Sequence, residues 1–455
     1  MVEVRVIAAT GMLGSGFQES SFARGIDLAP DVIACDAGSS DGGPAYLGTG
    51  KPYFSNEATK RDVRLMLLGR QRAGAKVPVI IGSCGFAGGD AGVAWMRDIV
   101  LEIAREEGLH FRMALIRSEQ DKPDLQRRLA EGRILPLSPA PPIDAGVIDR
   151  SAHIVGAMGH EPIAAAIDNG AQVVLAGRAT DTSLYAAVPL MRGAGAGPAW
   201  HAAKTLECGT AATVQRKRPD SLFAWIRDDH FDVAALDPDA RCTPQSVASH
   251  TLYENADPFL VTEPSGTIDT TPARYTAIDD RSVRVTGSAF RHADRVTIKL
   301  EGAELAGYQT VIFAGVREPF ILRQLDDWMA GMQARFADRV KEILGAKDYT
   351  IRIRVYGRDG VMGALEPLAH YMAHEVGLLI SVTAADQATS RAIAKSFSHF
   401  ALHYPIPEWR GLISGLAFPF TPPEMEKGPV YRFNLHHVVV PDDPLEMFRT
   451  EMQEV

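Results

Sequence analysis

The first half of the chain repeats one pattern, a short apolar run followed by a loop of glycines and polar side chains. Runs rich in Val, Ile and Ala alternate with segments of helical periodicity, which is typical of a parallel sheet covered on both faces. Such sheets bind ligands outside the carboxyl ends of their strands. We therefore expect an α/β fold, an open and mostly parallel sheet with helices on both faces and one shared pocket. The four clearest loops follow residues 4–9, 32–34, 77–81 and 173–176.

The sequence pattern changes after about residue 215, where charged patches begin to alternate with β-type stretches. Its 455 residues exceed what one core covers, since single cores stop growing at roughly 250 to 300 residues. We predict an α/β domain at residues 1–215 and an α+β domain at residues 216–455 that can close over the pocket. The second domain is expected to contain strands at residues 282–286, 295–300, 309–314, 349–356 and 378–383 and helices at residues 318–344 and 385–403.

Charge and hydropathy restrict the partners and the location. The formal net charge of −9 leaves no basic surplus that would favour nucleic acid or an anionic membrane. The apolar stretches stay short of the roughly 18 residues of a membrane span, and residues 1–10 resemble a strand rather than a signal peptide. We expect a cytoplasmic protein that binds a small molecule and forms a homo-oligomer. The four cysteines lack zinc-binding spacings, so reduced thiols are expected.

The loop after the first apolar run has the composition of an anion-binding turn. Gly14, Ser15 and Gly16 join an expected strand to an expected helix, where free N–H groups and the helix dipole favour anions. The loop matches neither the dinucleotide pattern GxGxxG nor the phosphate-loop pattern ending in GKS or GKT, so no NAD or ATP motif is recognised. Lys51 follows Gly48 and Gly50 and is a second candidate for holding an anionic group. A simple tight turn is the alternative for the glycines.

Two carboxylates follow the second apolar run with hydroxyl groups between them. Asp36 and Asp41 flank Ser39 and Ser40, and Asp181 follows another run in the equivalent place. Such carboxylates bind a hard cation such as Mg²⁺, or act as general acid and base where their environments separate their pKa values. The three aspartates are therefore candidate catalytic residues and candidate magnesium ligands, and the two serines candidate substrate contacts. Asx turns around the glycines are the alternative.

Two further loops carry a thiol and an imidazole. Cys84 lies between Ser83 and Gly85, where the helix expected near residue 91 would lower the thiol pKa and favour a nucleophile or proton donor. An inert buried cysteine is the alternative. His160 precedes a helix opened by Pro162, and the helix dipole there would keep its imidazole neutral and suited to act as a base. Structural capping is the alternative for this histidine.

The loop after residues 173–176 combines a guanidinium with a hydroxyl and a carboxylate. Arg178 can grip a carboxylate or phosphate with two N–H groups, Thr180 adds a hydroxyl, and the aspartate three residues after the arginine can position it. An internal Arg–Asp pair that only ties two loops together is the alternative. In the second half, His250 and Tyr253 belong to the densest polar run and are further candidates for binding substrate.

Several of these segments together resemble the acyclic terpene utilisation AtuA family. The resemblance spans most of the chain and includes the N-terminal glycine loop, Cys35-Asp36-Ala37-Gly38, residues 82–89, Met158-Gly159-His160-Glu161-Pro162, Ala176-Gly177-Arg178-Ala179-Thr180-Asp181, and residues 250–255 followed by Asp257-Pro258. The family name comes from a terpenoid breakdown pathway with acyl-CoA intermediates. Longer relatives carry an extra C-terminal ferredoxin-like domain, which implies that a small partner subunit of that fold supplies it here.

The residues and the resemblance together favour a catabolic enzyme, a lyase or hydratase acting on a small carboxylate or its CoA thioester. Arg178, Lys51 and the glycine-loop amides would bind anionic groups. The candidate acids and bases, Asp36, Asp41, Asp181, His160 and Cys84, would transfer protons at the carbon next to the carbonyl. The alternative is an acyl-CoA- or nucleotide-binding subunit whose chemistry needs a partner protein.

Overall fold

The computed structural model describes residues 2–74, 76–253, 255–345, 347–407 and 414–455. It divides into two compact units, one formed by residues 1–304 and 432–455 and the other by residues 305–431.

Strands and helices alternate through the first 200 residues, and strands predominate after them. The strands are β1 (Glu3–Ala8), β2 (Val32–Asp36), β3 (Val79–Gly82), β4 (Arg112–Arg117), β5 (Ile134–Pro136), β6 (Ser151–Ala157), β7 (Val173–Ala176), β8 (Leu222–Arg227), β9 (His230–Ala235), β10 (Leu260–Glu263), β11 (Gly266–Asp269), β12 (Arg274–Ala277), β13 (Ser282–Thr286), β14 (Ala289–His292), β15 (Ile298–Val316), β16 (Tyr349–Tyr356), β17 (Val376–Ala384), β18 (Glu424–Val439) and β19 (Arg449–Glu454). The helices are α1 (Glu19–Asp27), α2 (Pro44–Thr49), α3 (Asn56–Ala73), α4 (Asp90–Glu107), α5 (Lys122–Ala130), α6 (Ala145–Arg150), α7 (Glu161–Asp168), α8 (Ser183–Met191), α9 (Ala196–Leu206), α10 (Pro244–His250), α11 (Pro319–Arg323), α12 (Leu325–Leu344) and α13 (Gln387–Leu402).

The first unit is organised around a ten-stranded sheet in the order β12-β13-β9-β8-β1-β2-β3-β7-β4-β19. The five central strands, from β1 to β4, run parallel. The outer strands on both sides are antiparallel. Because the parallel strands share one direction, the loops after β1, β2, β3 and β7 leave the sheet at the same edge. The α/β fold class predicted from the sequence is confirmed.

Side chains of the central strands alternate between two cores. In β1, Val4, Val6 and Ala8 face one core, which is covered by α7, α8 and α9. Ile7 faces the other core, which is covered by α1, α3 and α4. Burial on both faces explains why these strands appear in the sequence as continuous apolar runs.

The compact units divide after residues 304 and 431, whereas the predicted domain boundary follows residue 215. Strand β8 pairs antiparallel with β1, from Glu3 opposite Arg227 to Ala8 opposite Leu222, and β9, β13 and β12 extend the same sheet. A parallel sheet leaves hydrogen-bonding groups unpaired at its edge strand, and β8 satisfies those of β1. Hairpin strands from the second half of the chain therefore complete the α/β sheet of the first half.

Two smaller sheet regions complete the first unit. Strands β10, β11 and β14 form an antiparallel sheet of three strands. Strand β6 lies outside the ten-stranded sheet, where it pairs antiparallel with residues 299–304 of β15. These two regions carry acidic and basic side chains that the candidate site uses.

The second unit packs α12 and α13 against an antiparallel sheet. Residues 308–316 of β15 pair with β17, and β17 pairs with β16. Its core includes Trp328, Phe336 and Phe397, each almost fully buried. Within the described part of the chain, no helix is long and apolar enough to cross a membrane.

Candidate functional site

An open pocket of about 430 Å³ lies in the first unit and brings together six of the candidate residues. These residues follow β2 and β7, two strands whose carboxyl ends share an edge of the parallel sheet. The six are Ser39, Ser40, Asp41, Arg178, Thr180 and Asp181. Four charged residues that the sequence did not single out also line it, namely Lys204, Glu207, Glu263 and Lys299.

Arg178 is the most firmly held side chain of the pocket. Its Nε donates to Glu301 Oε2 at 3.0 Å, and its Nη1 lies 3.1 Å from both Ser83 Oγ and Asp181 Oδ1. Its backbone N–H donates to the carbonyl of Gly88 at 3.0 Å. A Cβ at Gly88 would come within 2.3 Å of Arg178 N, so glycine is required for this close approach. The guanidinium is therefore fixed before any substrate arrives.

Glu301 supplies the negative charge that holds two cationic side chains of the pocket, Arg178 and Lys299. Lys299 Nζ donates to Glu301 Oε1 at 2.9 Å, and Ser40 Oγ donates to the same oxygen at 3.1 Å. Burial alone would raise the pKa of Glu301, but attraction to Arg178 and Lys299 outweighs it and lowers the pKa to about 2. Residues 299 and 301 reach the same side because alternate residues of a strand share a face.

Two aspartates feel the charge of the arginine, the buried Asp36 and the half-buried Asp181, and Asp181 also forms an ion pair with it. Burial raises the pKa of Asp36, the charge of Asp181 raises it further, and Arg178 opposes both effects. Burial also raises the pKa of Asp181, against the attraction of Arg178. The amide of Gly38 donates to Asp36 Oδ2 at 3.3 Å, whereas Oδ1 has no hydrogen-bond partner in the described residues. This environment favours the neutral form of both aspartates.

Glu263 is the clearest candidate acid or base of the pocket. It ends β10, directly before the turn to β11, and its side chain is buried. Burial raises the pKa of Glu263 to about 7, although the hydroxyl groups of Thr180 and Thr182 favour its charged form. Its Oε2 has no hydrogen-bond partner among the residues that the structure describes. A carboxyl group that titrates near neutral pH can both accept and donate a proton.

A second polar group adjoins the pocket at the end of α9. Lys204 Nζ forms an ion pair with Glu207, and His250 Nε2 lies 3.1 Å from the backbone carbonyl oxygen of Lys204. One side-chain atom each of Glu207, Cys208 and His250 lie within 4.8 Å of one another. His250, expected to bind substrate, thus lies beside the pocket rather than among its lining residues. Tyr253 is 56% exposed and does not line the pocket, and Glu254 lies outside the described residues.

The N-terminal glycine loop binds a carboxylate of the protein itself. The amides of Gly14 and Gly16 donate to Asp62 Oδ2 at 2.9 and 3.0 Å. The loop is therefore an anion-binding turn, as its composition indicates, but the anion is internal and these amides are not available to a substrate. Ser15 lines a different pocket, of about 540 Å³, together with Cys208 and Arg216.

Cys84 and Lys51 both line a separate cavity. Its volume of about 10 Å³ barely admits one water, and Glu119 and His153 also line it. Cys84 is fully buried, and burial raises the pKa of its thiol well above the usual range. This corrects the expectation of a lowered pKa and favours the inert alternative, because reactive cysteines are thiolates in electropositive, partly exposed places.

His160 occupies the start of α7 without capping it through its side chain. Its Nδ1 lies 3.4 Å from Glu161 Oε1, and its ring meets Trp200 edge-on at 5.5 Å between centroids. Burial lowers the pKa of His160, so a neutral imidazole is expected, as the sequence predicts. The largest cause of this lowering is burial, whereas the sequence prediction assigns it to the helix dipole. His160 does not line the pocket of Arg178.

The structure does not gather Asp36, Asp41 and Asp181 into a metal-binding group. In the described residues, the one such group of three or more side chains is Glu207, Cys208 and His250. The positive charge nearest to Asp181 is that of Arg178, which forms an ion pair with Asp181 and opposes the rise in the pKa of both Asp181 and Asp36. Of the three proposed magnesium ligands, Asp181 is thus the partner of a guanidinium.

The charged residues that the sequence analysis missed lie on elements without a recognised motif. Lys204 and Glu207 occupy the end of a helix that is mostly small and apolar, while Lys299 and Glu301 alternate along a long strand. Glu263 precedes Pro264-Ser265-Gly266, a turn signal after an apolar run, and this pattern was the available clue.

Comparison with known proteins identifies the family. The model of the acyclic terpene utilisation family protein AtuA matches residues 80–213 and 235–414, which is more than half of the chain. The match includes Arg178, Lys204 and Glu263. No curated protein and no solved structure gave a significant match. The chain belongs to the acyclic terpene utilisation AtuA family, and this membership implies a catabolic role.

Proposed function

We propose that this protein is a lyase or hydratase that acts on a small carboxylate or its CoA thioester by proton transfer next to the carbonyl. The observation that carries the proposal is the pairing, in one pocket, of a preorganised cationic side with a buried carboxyl group that titrates near neutral pH. Arg178 and Lys299 form the cationic side, and Glu263 is the carboxyl group.

The cationic side is suited to bind a carboxylate or a polarised carbonyl oxygen. The Nε and Nη1 of Arg178 are used by the protein, whereas Nη2 makes no hydrogen bond to any described residue. Lys299 Nζ forms an ion pair with Glu301, which is also the partner of Arg178, and the Lys299 side chain is partly exposed. Cationic groups fixed before reaction stabilise negative charge that develops on an enolate oxygen, because they need no reorganisation.

Glu263 is the proposed base. Its ionised form removes the proton from the carbon next to the carbonyl, and the protonated carboxyl group returns a proton in the reverse direction. The hydroxyl group on the neighbouring carbon then takes the proton held by Glu263 and leaves as water. In the reverse direction, the added water gives a proton to Glu263, which passes it to the carbon next to the carbonyl. Because the base must be ionised, the rate is expected to rise with pH through about 7.

Deuterium exchange tests the proton transfer without knowledge of the natural substrate. Dicarboxylates such as succinate and thioesters such as acetyl-CoA are incubated with the protein in D₂O, and loss of the α-proton signal is followed by NMR. We expect exchange with at least one compound, a reduction of about 100-fold or more in Glu263→Gln, and unchanged exchange in Glu304→Gln. Glu304 is a matched control, since it is buried in the same unit but does not line the pocket.

Binding is measured separately by the thermal shift that each compound causes. Arg178→Lys keeps the charge but loses the planar fork, so it should abolish the shift, whereas Glu263→Gln should retain it. Arg128→Lys is the matched control, because Arg128 is also a buried arginine with two carboxylate partners. Exchange that persists in Glu263→Gln would reject this glutamate as the base.

The alternative, an acyl-CoA- or nucleotide-binding subunit, is favoured by the second pocket of about 540 Å³. Three consecutive basic residues and two aromatic side chains line it, namely Arg216, Lys217, Arg218, Tyr53 and Phe54. This combination suits phosphate groups and a base ring. Stabilisation by CoA without exchange of any α-proton would support the subunit over the enzyme.

A further inference from the structure

The end of α9 gathers three side chains whose donor atoms suit a transition metal. A carboxylate oxygen of Glu207, the sulfur of Cys208 and a ring nitrogen of His250 lie within 4.8 Å of one another. Ligand atoms around one zinc ion approach each other more closely than this, since zinc bonds are about 2.0 to 2.3 Å long. Small rotations of these side chains therefore suffice to converge on one ion.

The hydrogen bond of His250 prepares its ring for a metal. Its Nε2 lies 3.1 Å from the backbone carbonyl oxygen of Lys204, which can only accept, so Nε2 carries the proton. In the neutral ring the lone pair is then on Nδ1. Histidines that bind metals usually donate their other ring N–H to a carbonyl or carboxylate in this way, which fixes the ring and its tautomer. Binding of zinc through Nδ1 would leave this hydrogen bond in place.

The donor set distinguishes the site from one for magnesium. Magnesium prefers oxygen ligands in an octahedron, whereas thiolate and imidazole favour zinc. Three protein ligands leave the fourth zinc position for water or substrate, as in catalytic zinc sites. The group contains no fourth His, Cys, Asp or Glu from the described ranges.

The site would be reachable from the pocket. Glu207 lines the pocket of Arg178, and the partly exposed Cys208 lines the neighbouring one. Lys204 contacts Oε1 of Glu207, so Oε2 is the oxygen that can bind an ion while the ion pair persists. The nearby ammonium group opposes a dication, which makes affinity the decisive measurement.

We propose that Glu207, Cys208 and His250 form a zinc site with one open position beside the carboxylate pocket. This site is independent of the proposed reaction, since its test is binding of the metal itself. Loss of the Cys208 proton accompanies binding, because the thiolate is the ligand.

The test begins with metal-free full-length protein titrated with Zn²⁺ against a chromophoric chelator. We expect one tight zinc ion per chain. Cys208→Ser, His250→Gln and Glu207→Gln should each weaken the affinity by more than the roughly 10- to 100-fold that loss of an outer-shell partner costs. Unaltered affinity in these variants would overturn the proposal.

Two controls exclude binding elsewhere on the protein. His399 and His403 have ring centroids 5.4 Å apart on α13 and at its end, and imidazole is a common metal ligand. His399→Gln should leave the tight site unchanged, and loss of binding in this variant would reject the proposed site. Cys242→Ser is the matched thiol control, since Cys242 is a buried cysteine outside the group.

A measurement on the wild-type protein keeps the test independent of how the variants fold. X-ray absorption at the zinc edge should show one sulfur among nitrogen and oxygen ligands, and Co²⁺ in place of zinc should give a thiolate charge-transfer band. Ligation by nitrogen and oxygen alone, or failure to bind zinc, would overturn the assignment.

Discussion

At the scale of single residues, Glu263 links the stability of the fold to pH. Its pKa is raised by burial from 4.5 to about 7, so the folded protein prefers the neutral carboxyl group. The stabilisation is fully present below the unfolded pKa and is lost as pH rises through the folded pKa. We expect unfolding free energy to fall by up to about 3 kcal/mol across this window, from the 1.36 kcal/mol that one pKa unit represents.

Glu263→Gln isolates this contribution, because the amide cannot ionise. Urea unfolding of both proteins at several pH values should show a smaller loss of stability for the variant between about pH 4.5 and 7. Titrating groups remote from Glu263 contribute equally to the two curves, and Glu207 is the neighbour on which the charge of Glu263 acts. Parallel curves would mean that Glu263 does not titrate in this range.

Arg178 and Glu301 present the opposite case, a buried ion pair that keeps both groups charged. Arg178→Met leaves Glu301 with Lys299 as its remaining cationic partner, and breaking a buried pair in this way costs about 3–5 kcal/mol. Glu301→Gln should cost less, because Arg178 keeps its contacts with Asp181 and Ser83. Denaturant titration of the two variants measures the order, and a more stable Arg178→Met would contradict it.

At the scale of elements, the glycine loop and α3 are joined through Asp62. The fully buried Asp62 accepts from the amides of Gly14 and Gly16 and pairs with Arg61. Asp62→Ala removes the acceptor from two amides, and each unsatisfied buried group costs about 1–3 kcal/mol. We therefore expect destabilisation of about 2–5 kcal/mol in chemical denaturation.

The same variant tests whether the loop is intrinsically an anion site. With the carboxylate removed, the two amides form an empty concavity that favours an anion. Sulfate should then raise the melting temperature of Asp62→Ala by more than it raises that of the wild type. An equal effect on both proteins would show that the loop contributes no specific binding.

Elements that depend on local sequence were predictable, whereas their partners were not. The expected strands at residues 173–176, 282–286 and 349–356 coincide with β7, β13 and β16. Burial on both faces or regular alternation determines such segments directly. The pairing of β8 with β1 joins residues more than 200 positions apart, and no local pattern specifies that contact.

The candidate site shows the same division between local and distant information. Arg178, Asp181 and the residues of the loop after β2 were found because glycine-rich loops follow parallel strands. Glu263 and Lys299 reach the pocket from a hairpin and from a strand outside the parallel sheet. The N-terminal glycine loop binds Asp62 instead of the expected substrate anion. The sequence did not indicate this contact because it joins the loop to a helix residue 48 positions away.

At the scale of the whole molecule, the two units have separate cores and should respond separately to core substitutions. Phe397 is fully buried in the second unit, where its ring packs perpendicular to Phe336 with centroids 4.9 Å apart. Phe397→Ala removes these contacts and leaves a cavity, a change that costs about 3–5 kcal/mol. Hydrogen exchange followed by mass spectrometry should show lost protection in α12 and α13, while β1, β2 and β3 retain theirs. Phe231→Ala, in the core of the first unit, should give the converse pattern. Loss of protection across both units in either variant would show that the chain unfolds as one cooperative body.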